Sequence, residues 1–294
     1  MVAITLIFLA EATLAAVLAG FFGSLFGIGS GVIVVPFLTV FLGFPIHEAI
    51  AVSAVSVIAT SNAGGSAYVE QRLTNVRLAM FLEVATTAGA LVGSVVALLL
   101  NSWVLFTLFG VLLASMAFSA LHSRGTDERK IANHGFESIH QDRLSRYLGL
   151  QGTYFDAAEK KEVRYLVTGS VIGCVISAFA GIISGLLGLG GGVFKVAGMS
   201  IFMNLPMKVA IATSKFMIGV TAAAGAVVFL VVGLVDVYVV APVALGTILG
   251  ATFGIFLMNR LRSSVIKVTF GLLMILLSYT MFAQSLSMGF GHLP

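Results

Sequence analysis

Charge is scarce in this chain. Of its 294 residues only 10% are Asp, Glu, Lys or Arg, while 59% are hydrophobic and the mean hydropathy is +1.09. An ordinary soluble domain carries about 25% charged residues. So little polar surface cannot cover a globule of this size, which excludes a soluble enzyme. Cysteine is nearly absent too. The lone Cys174 lies in an apolar run and excludes an internal disulfide framework or a multi-cysteine metal site. Histidine is missing from membrane depth: His47 falls at an outer loop, and His122, His134 and His140 fall on the inner side. That removes a Ser–His intramembrane protease and a histidine-based metal site. No Lys-Ser/Thr follows a glycine cluster at phosphate-loop spacing. The expectation is therefore no catalytic centre, no cofactor and no metal. A pI of 9.3 would suit nucleic acid, but the placement of the basic residues argues against that partner.

What the chain has is apolar length. Runs cover 3–26, 47–69, 78–100, 103–122, 164–187, 208–232, 237–258 and 265–287, with shorter ones at 31–42 and 192–204. A helix needs about 20 residues to cross ~30 Å of hydrocarbon at 1.5 Å per residue. No basic segment precedes the first run, so it reads as retained rather than cleaved. The one long polar stretch, 123–163, ends in text that predicts a strand pair, Thr153-Tyr154-Phe155 against Val163-Arg164-Tyr165.

The two halves repeat at a fixed offset of 161 residues. Gly20, Gly27, Gly29, Gly31 and Val32 fall on Gly181, Gly188, Gly190, Gly192 and Val193. The register continues through Pro45/Pro206, Ser53/Ser214, Thr60/Thr221, Gly89/Gly250 and Gly110/Gly271. The expected organisation is a first transmembrane repeat over 1–122, a cytoplasmic linker over 123–163 and a second repeat over 164–294. Five crossings per repeat put fourteen of the sixteen Lys and Arg on one side, as the positive-inside rule asks. Four crossings break that pattern. The predicted fold is thus an all-α polytopic membrane protein of two inverted-topology repeats, with the linker inside and both termini outside.

The two remaining cations, Lys195 and Lys215, lie within apolar segments of the second repeat, where the first has Val34 and Ala54. Lys215 is about 10 Å beyond Lys208 along a helix. A cation at the centre of a membrane helix costs ~2.5–3.5 kcal/mol, so each must face protein, water or an anion. Either a substrate anion or an intramembrane carboxylate, Glu83 or Glu11, would satisfy it. Burial raises a carboxyl pKa, which makes Glu11 and Glu83 proton-coupling candidates; a structural or interfacial place is the alternative for both.

Gly27-Ile28-Gly29-Ser30-Gly31 and Gly188-Leu189-Gly190-Gly191-Gly192 each precede a segment too short to cross. Such helices begin inside the membrane, with unpaired N–H groups and the positive dipole end near the midplane. Broken helices in corresponding positions of two halves point to a transporter site. The substrate-binding candidates are Gly29, Ser30, Gly31, Gly190, Gly191 and Gly192, together with Lys195 and Lys215. The polar groups that follow add Ser53, Asn62, Thr213 and Ser214, although a membrane hydroxyl often bonds its own helix instead. Gly89-x-x-x-Gly93 and Gly250-x-x-x-Gly254 read as helix packing.

GIISGLLGLGGGVFKV at 181–196, PMKVAIATSKFMIGVTAAAGAVVFLVVGLVD at 206–236, GFFGSLFGIGSGVIVVPFL at 20–38 and GTYFDAAEKKEVRY at 152–165 together resemble the sulfite exporter TauE/SafE family. The resemblance covers essentially the whole chain. It implies a bacterial inner-membrane permease for small sulfur-containing anions, sulfite or an organosulfonate such as sulfoacetate. Ser30 replaces the middle glycine of the first cluster, Val52 stands where the second copy has Thr213, and Ala197 stands where Pro36 fits the pattern. The expected function is export of such an anion by alternating access, the alternative an anion channel or a permease for another small anion. The expected partners are that anion and the lipid bilayer, with a homodimer left open.

Overall fold

The computed structural model describes residues 6–26, 29–122, 142–156, 161–258 and 263–290. Gly27, Ile28, most of the polar stretch, with Arg124, Arg129, Lys130 and Lys160, and the basic pair Arg260 and Arg262 lie outside them. In chain order the elements are α1 (Leu6–Phe26), α2 (Gly31–Pro36) continued by a π-helical turn (Phe37–Phe41), α3 (Ile46–Glu70), α4 (Val76–Leu99) and α5 (Ser102–His122). Then come α6 (Arg143–Tyr147), β1 (Gly152–Asp156) and β2 (Lys161–Tyr165). The second half holds α7 (Ser170–Leu187), α8 (Gly192–Ile201), α9 (Met207–Val231), α10 (Val237–Met258) and α11 (Ser263–Phe290). Among the described residues six helices, α4, α5, α7, α9, α10 and α11, are long and apolar enough to cross a bilayer. Outward-facing Leu14, Val84, Phe118, Val231 and Phe253 are each more than half exposed, a surface suited to lipid rather than water. This is an all-α polytopic membrane protein.

Helix packing follows the 161-residue offset. α1 lies along α10 as α4 lies along α7, α3 meets α10 as α9 meets α4, and the counterparts α3/α9 and α5/α11 pack on one another. Glycines set the first two seams: a Cβ on Gly93 would lie 2.1 Å from the Ile182 carbonyl oxygen, and one on Gly250 would lie 1.9 Å from that of Val17. Small residues let membrane helices approach this closely, so both Gly-x-x-x-Gly motifs serve packing. Direction can be read from which residues meet. Thr86 and Ala90 on α4 meet Gly181 and Gly185 on α7, so these two run parallel. On the counterpart pairs the order reverses. Ser61 and Gly65 of α3 meet Gly219 and Lys215 of α9, and Thr107 and Gly110 of α5 meet Ser285 and Ser278 of α11. Counterpart helices therefore run antiparallel.

The strand pair forms as its alternation predicts, with Tyr154 opposite Val163 and Gly152 opposite Tyr165. Arg164 and Tyr165 thus belong to β2, and the apolar run read from 164 becomes helical only at Ser170, after Gly169 turns the chain at φ +62°. Tyr154, Tyr165, Leu150 and Val167 bury against Leu78 and Leu82 of α4, Met199 of α8 and Val209 and Met217 of α9. The hairpin seals one end of that helix group.

Candidate functional site

The chain breaks where the glycines predict it. α7 stops at Leu187, Gly188, Gly190 and Gly191 take φ of +67°, +77° and +67°, and α8 starts at Gly192. In the first half Gly29 sits at φ +94° ahead of α2. Left-handed backbone of this kind is cheap only for glycine. The two breaks meet. A Cβ on Gly31 would lie 2.7 Å from the Gly188 carbonyl oxygen and 2.6 Å from Ser53 Oγ, and Gly29 faces the Leu189 carbonyl. Val57 and Ile218, counterparts across the repeat, bury over the junction against Gly190. Gly29, Gly31 and Gly190 are therefore brought together, with Gly191 and Gly192 opening α8 beside the Ala180 carbonyl.

Two of the predicted hydroxyl ligands hold this junction. Ser53 Oγ donates to the Gly188 carbonyl at 2.9 Å, and Ser214 Oγ donates to the Gly192 carbonyl at 3.1 Å. Each hydroxyl has one proton, so neither offers a donor to an anion without releasing a glycine carbonyl. Ser30 Oγ lies 3.4 Å from Thr60 Oγ1. Thr213 is elsewhere, its Oγ1 accepting the Asn75 backbone N–H at 3.1 Å near the hairpin. Asn62 is exposed on α3 beside Gly219.

The structure does not bring the two lysines to one place. Lys195 is 1% exposed, donates from Nζ to Thr221 Oγ1, and lies 4.0 Å from Glu83 Oε2. Thr221 in turn donates to Glu83 Oε1 at 2.7 Å. The carboxylate alternative thus describes Lys195. Lys215, about 9 Å from Thr221 along α9, points instead at the ring of Tyr68, 4.9 Å from its centroid. It is 8% exposed, and no carboxylate lies within ion-pair distance of it among the described residues. A cation over an aromatic face is attracted by the ring quadrupole but keeps its charge unmatched. Ser61 Oγ donates to the Lys215 carbonyl at 2.6 Å, so Lys215, Tyr68 and Asn62 share the α3–α9 seam. Glu11 is exposed on α1 beside Leu14 and Leu18 on the lipid-facing side, apart from Glu83.

Two residues were not among the expected ones. Tyr68 carries no local signal, because its partner is 147 positions away. Asn75 stands immediately before an apolar run, which is a readable N-cap position. Its Oδ1 accepts Leu78 N–H at 3.0 Å, and its Nδ2 donates to the Leu150 carbonyl at 2.7 Å and to Tyr165 Oη at 3.0 Å. Burial pushes the Tyr165 phenol above its ordinary value, so it stays protonated there.

A family model for the sulfite exporter TauE/SafE matches residues 12–281. The chain belongs to that family. This TauE/SafE protein is similar to "Probable membrane transporter protein YunE" of Bacillus subtilis (strain 168), at 25% identity over 267 residues, 88% of this chain and 92% of the relative. It is also similar to "Probable membrane transporter protein YdhB" of the same organism, at 28% identity over 252 residues, 85% of this chain and 89% of the relative. No solved structure matches it significantly. The TauE/SafE family is one of membrane transporters, and the names point to transport rather than catalysis.

Proposed function

We infer that this protein is a secondary transporter that exports a small sulfur-containing anion, sulfite or an organosulfonate such as sulfoacetate, across the bacterial inner membrane. The observation that carries this reading is Lys215, a buried cation with no carboxylate partner among the described residues, seated on the Tyr68 ring at the seam between the halves. A charge left unmatched at membrane depth is stabilised by an anion that comes and goes. Asn62 adds amide donors on the same seam, and the glycine junction adds the helix N-terminus of α8. Ser53 and Ser214 act there as braces that keep the junction closed.

The antiparallel counterpart helices support an inverted repeat, whose two-fold axis would lie in the membrane plane and put the glycine junction near mid-depth. Rocking of one half against the other about that junction is the alternating-access movement such a repeat allows. The charge distribution supports a cytoplasmic linker with both termini outside.

The test is thermal stabilisation of the purified protein in detergent by sulfite, sulfoacetate, taurine, sulfate, acetate and chloride. Ligand at a hundredfold excess over Kd adds about 2.7 kcal/mol of stability. A selective shift with sulfite or sulfoacetate, lost in Lys215→Met, is expected. No shift with any anion would remove the reason to call the cargo an anion.

A further inference from the structure

Glu83 is the one acidic side chain that is buried among the described residues, and its two oxygens are held unequally. Oε1 accepts from Thr221 at 2.7 Å and from Thr87 at 3.4 Å. Oε2 is buried without a hydrogen-bond partner, 4.0 Å from the Lys195 ammonium. A buried carboxylate is ordinarily hydrogen-bonded through both oxygens, because an unsatisfied polar atom away from water is costly. Thr221 stands between the charges. It accepts from Lys195 and shares its single proton between Glu83 Oε1 at 2.7 Å and the Met217 carbonyl at 2.9 Å, so the ion pair is bridged on the Oε1 side and open on the Oε2 side.

The groups facing Glu83 are few. α8 contributes Lys195, α9 contributes Thr221, and α4 itself contributes Thr87. α7, which packs along α4, has no charged residue and one titratable group, Cys174, which packs with the hairpin cluster. The hairpin contributes Tyr154 and Tyr165 against Leu78 and Leu82. The counterparts of Lys195, Thr221 and Glu83 are Val34, Thr60 and Ala244, so the repeat builds this cluster only once. Glu83 also belongs to the first half while Lys195 and Thr221 belong to the second, so the pair joins elements of the two halves.

We propose that Glu83 is the proton-carrying group of this transporter. A proton taken on Oε2 forms the neutral acid, dissolves the ion pair and leaves Lys195 as an unmatched cation inside the membrane. The added positive charge favours binding of the substrate anion, so proton and anion each favour the other's binding and cross together. The proposal rests on the anion-transport reading above for its cargo, but the proton site itself can be tested without any substrate.

Infrared difference spectra between alkaline and acidic pH should show the carbonyl stretch of a buried protonated carboxyl in the wild-type protein, absent in Glu83→Gln. Absence of that band from the wild type, or its survival in Glu83→Gln, would overturn the proposal. Where Glu83→Gln does not fold, the wild-type protein is treated with a hydrophobic carbodiimide, which reacts with protonated carboxyls in apolar surroundings. An adduct mapped to Glu83 that declines as pH rises supports the site, and no adduct there at any pH overturns it. In proteoliposomes holding a pH-sensitive dye, sulfite or sulfoacetate flux should carry protons with it. Anion flux without protons overturns the coupling, and Glu83→Gln should lower the protons moved per anion to none. Failure of every anion to move would instead count against the transport reading, leaving the infrared and adduct results to decide the proton site.

Discussion

The backbone N–H of Asn75, at the mouth of α4, donates to Thr213 Oγ1 on α9 at 3.1 Å. That bond ties the first half to the second two residues before Lys215. The same asparagine caps α4 and reaches back to Leu150 and Tyr165 of the hairpin segment. Asn75→Ala removes a helix cap and strands the partners of two side-chain donors. The expected loss of stability is about 2–4 kcal/mol, from ~1 for the cap and ~1–3 for buried groups left unpaired. Tyr165→Phe, which removes one acceptor, should cost less. Melting of the two variants in detergent checks the order; equal melting temperatures would show that the asparagine is not a hub.

Glycine at the junction is required for two separate reasons, and substitutions separate them. Gly188→Ala would hold an alanine at φ +67° and drive its Cβ to 2.6 Å from the Ile50 carbonyl oxygen. Gly43→Ala asks for a similar backbone, φ +65°, but has open space around it. The second change should cost only the left-handed strain of about 1–2 kcal/mol. The first should cost more and reduce the yield of folded protein. Size-exclusion profiles and melting of the pair decide it, and equal behaviour would mean that close approach at the junction is unimportant.

Much of this arrangement is legible in the sequence. The offset of 161 residues foretold which helices would be counterparts, and the glycine clusters foretold where the helices break. Alternation in Thr153–Phe155 and Val163–Tyr165 foretold the hairpin. These are local or periodic signals, carried by residue types whose backbone preferences are strong. What stayed hidden depends on side chains meeting across long sequence separations. Nothing in the text tells Lys195 from Lys215, yet one meets a carboxylate 112 positions away and the other an aromatic ring. Ser53 and Ser214 read as ligands because a hydroxyl's partner is not encoded in its neighbours; both turned out to hold glycine carbonyls.

Tyr68 offers Lys215 a ring rather than a charge. Tyr68→Phe keeps the π face and should leave anion-induced stabilisation close to the wild-type value. Tyr68→Leu removes it and, at ~0.5–2 kcal/mol for a cation–π contact, should weaken the positioning of the ammonium. The expected result is a smaller anion-dependent shift in the leucine variant alone. An equal loss in both variants would transfer the role from the ring to the phenol oxygen.

Lys195 and Glu83 should be strongly coupled in stability. Lys195→Met strands a buried carboxyl group, and Glu83→Leu strands a fully buried ammonium whose hydrogen bond runs to Thr221. Breaking one member of a buried pair costs about 3–5 kcal/mol, whereas replacing both by apolar residues of similar size is often neutral. Both partners are buried, where an unmatched charge has little water to offset it. The double variant should therefore melt closer to the wild type than either single variant does, giving a coupling energy of opposite sign to the two separate losses. Additive losses in the cycle would mean that the 4.0 Å pair contributes nothing, and that the two side chains are held by Thr221 and Thr87 alone.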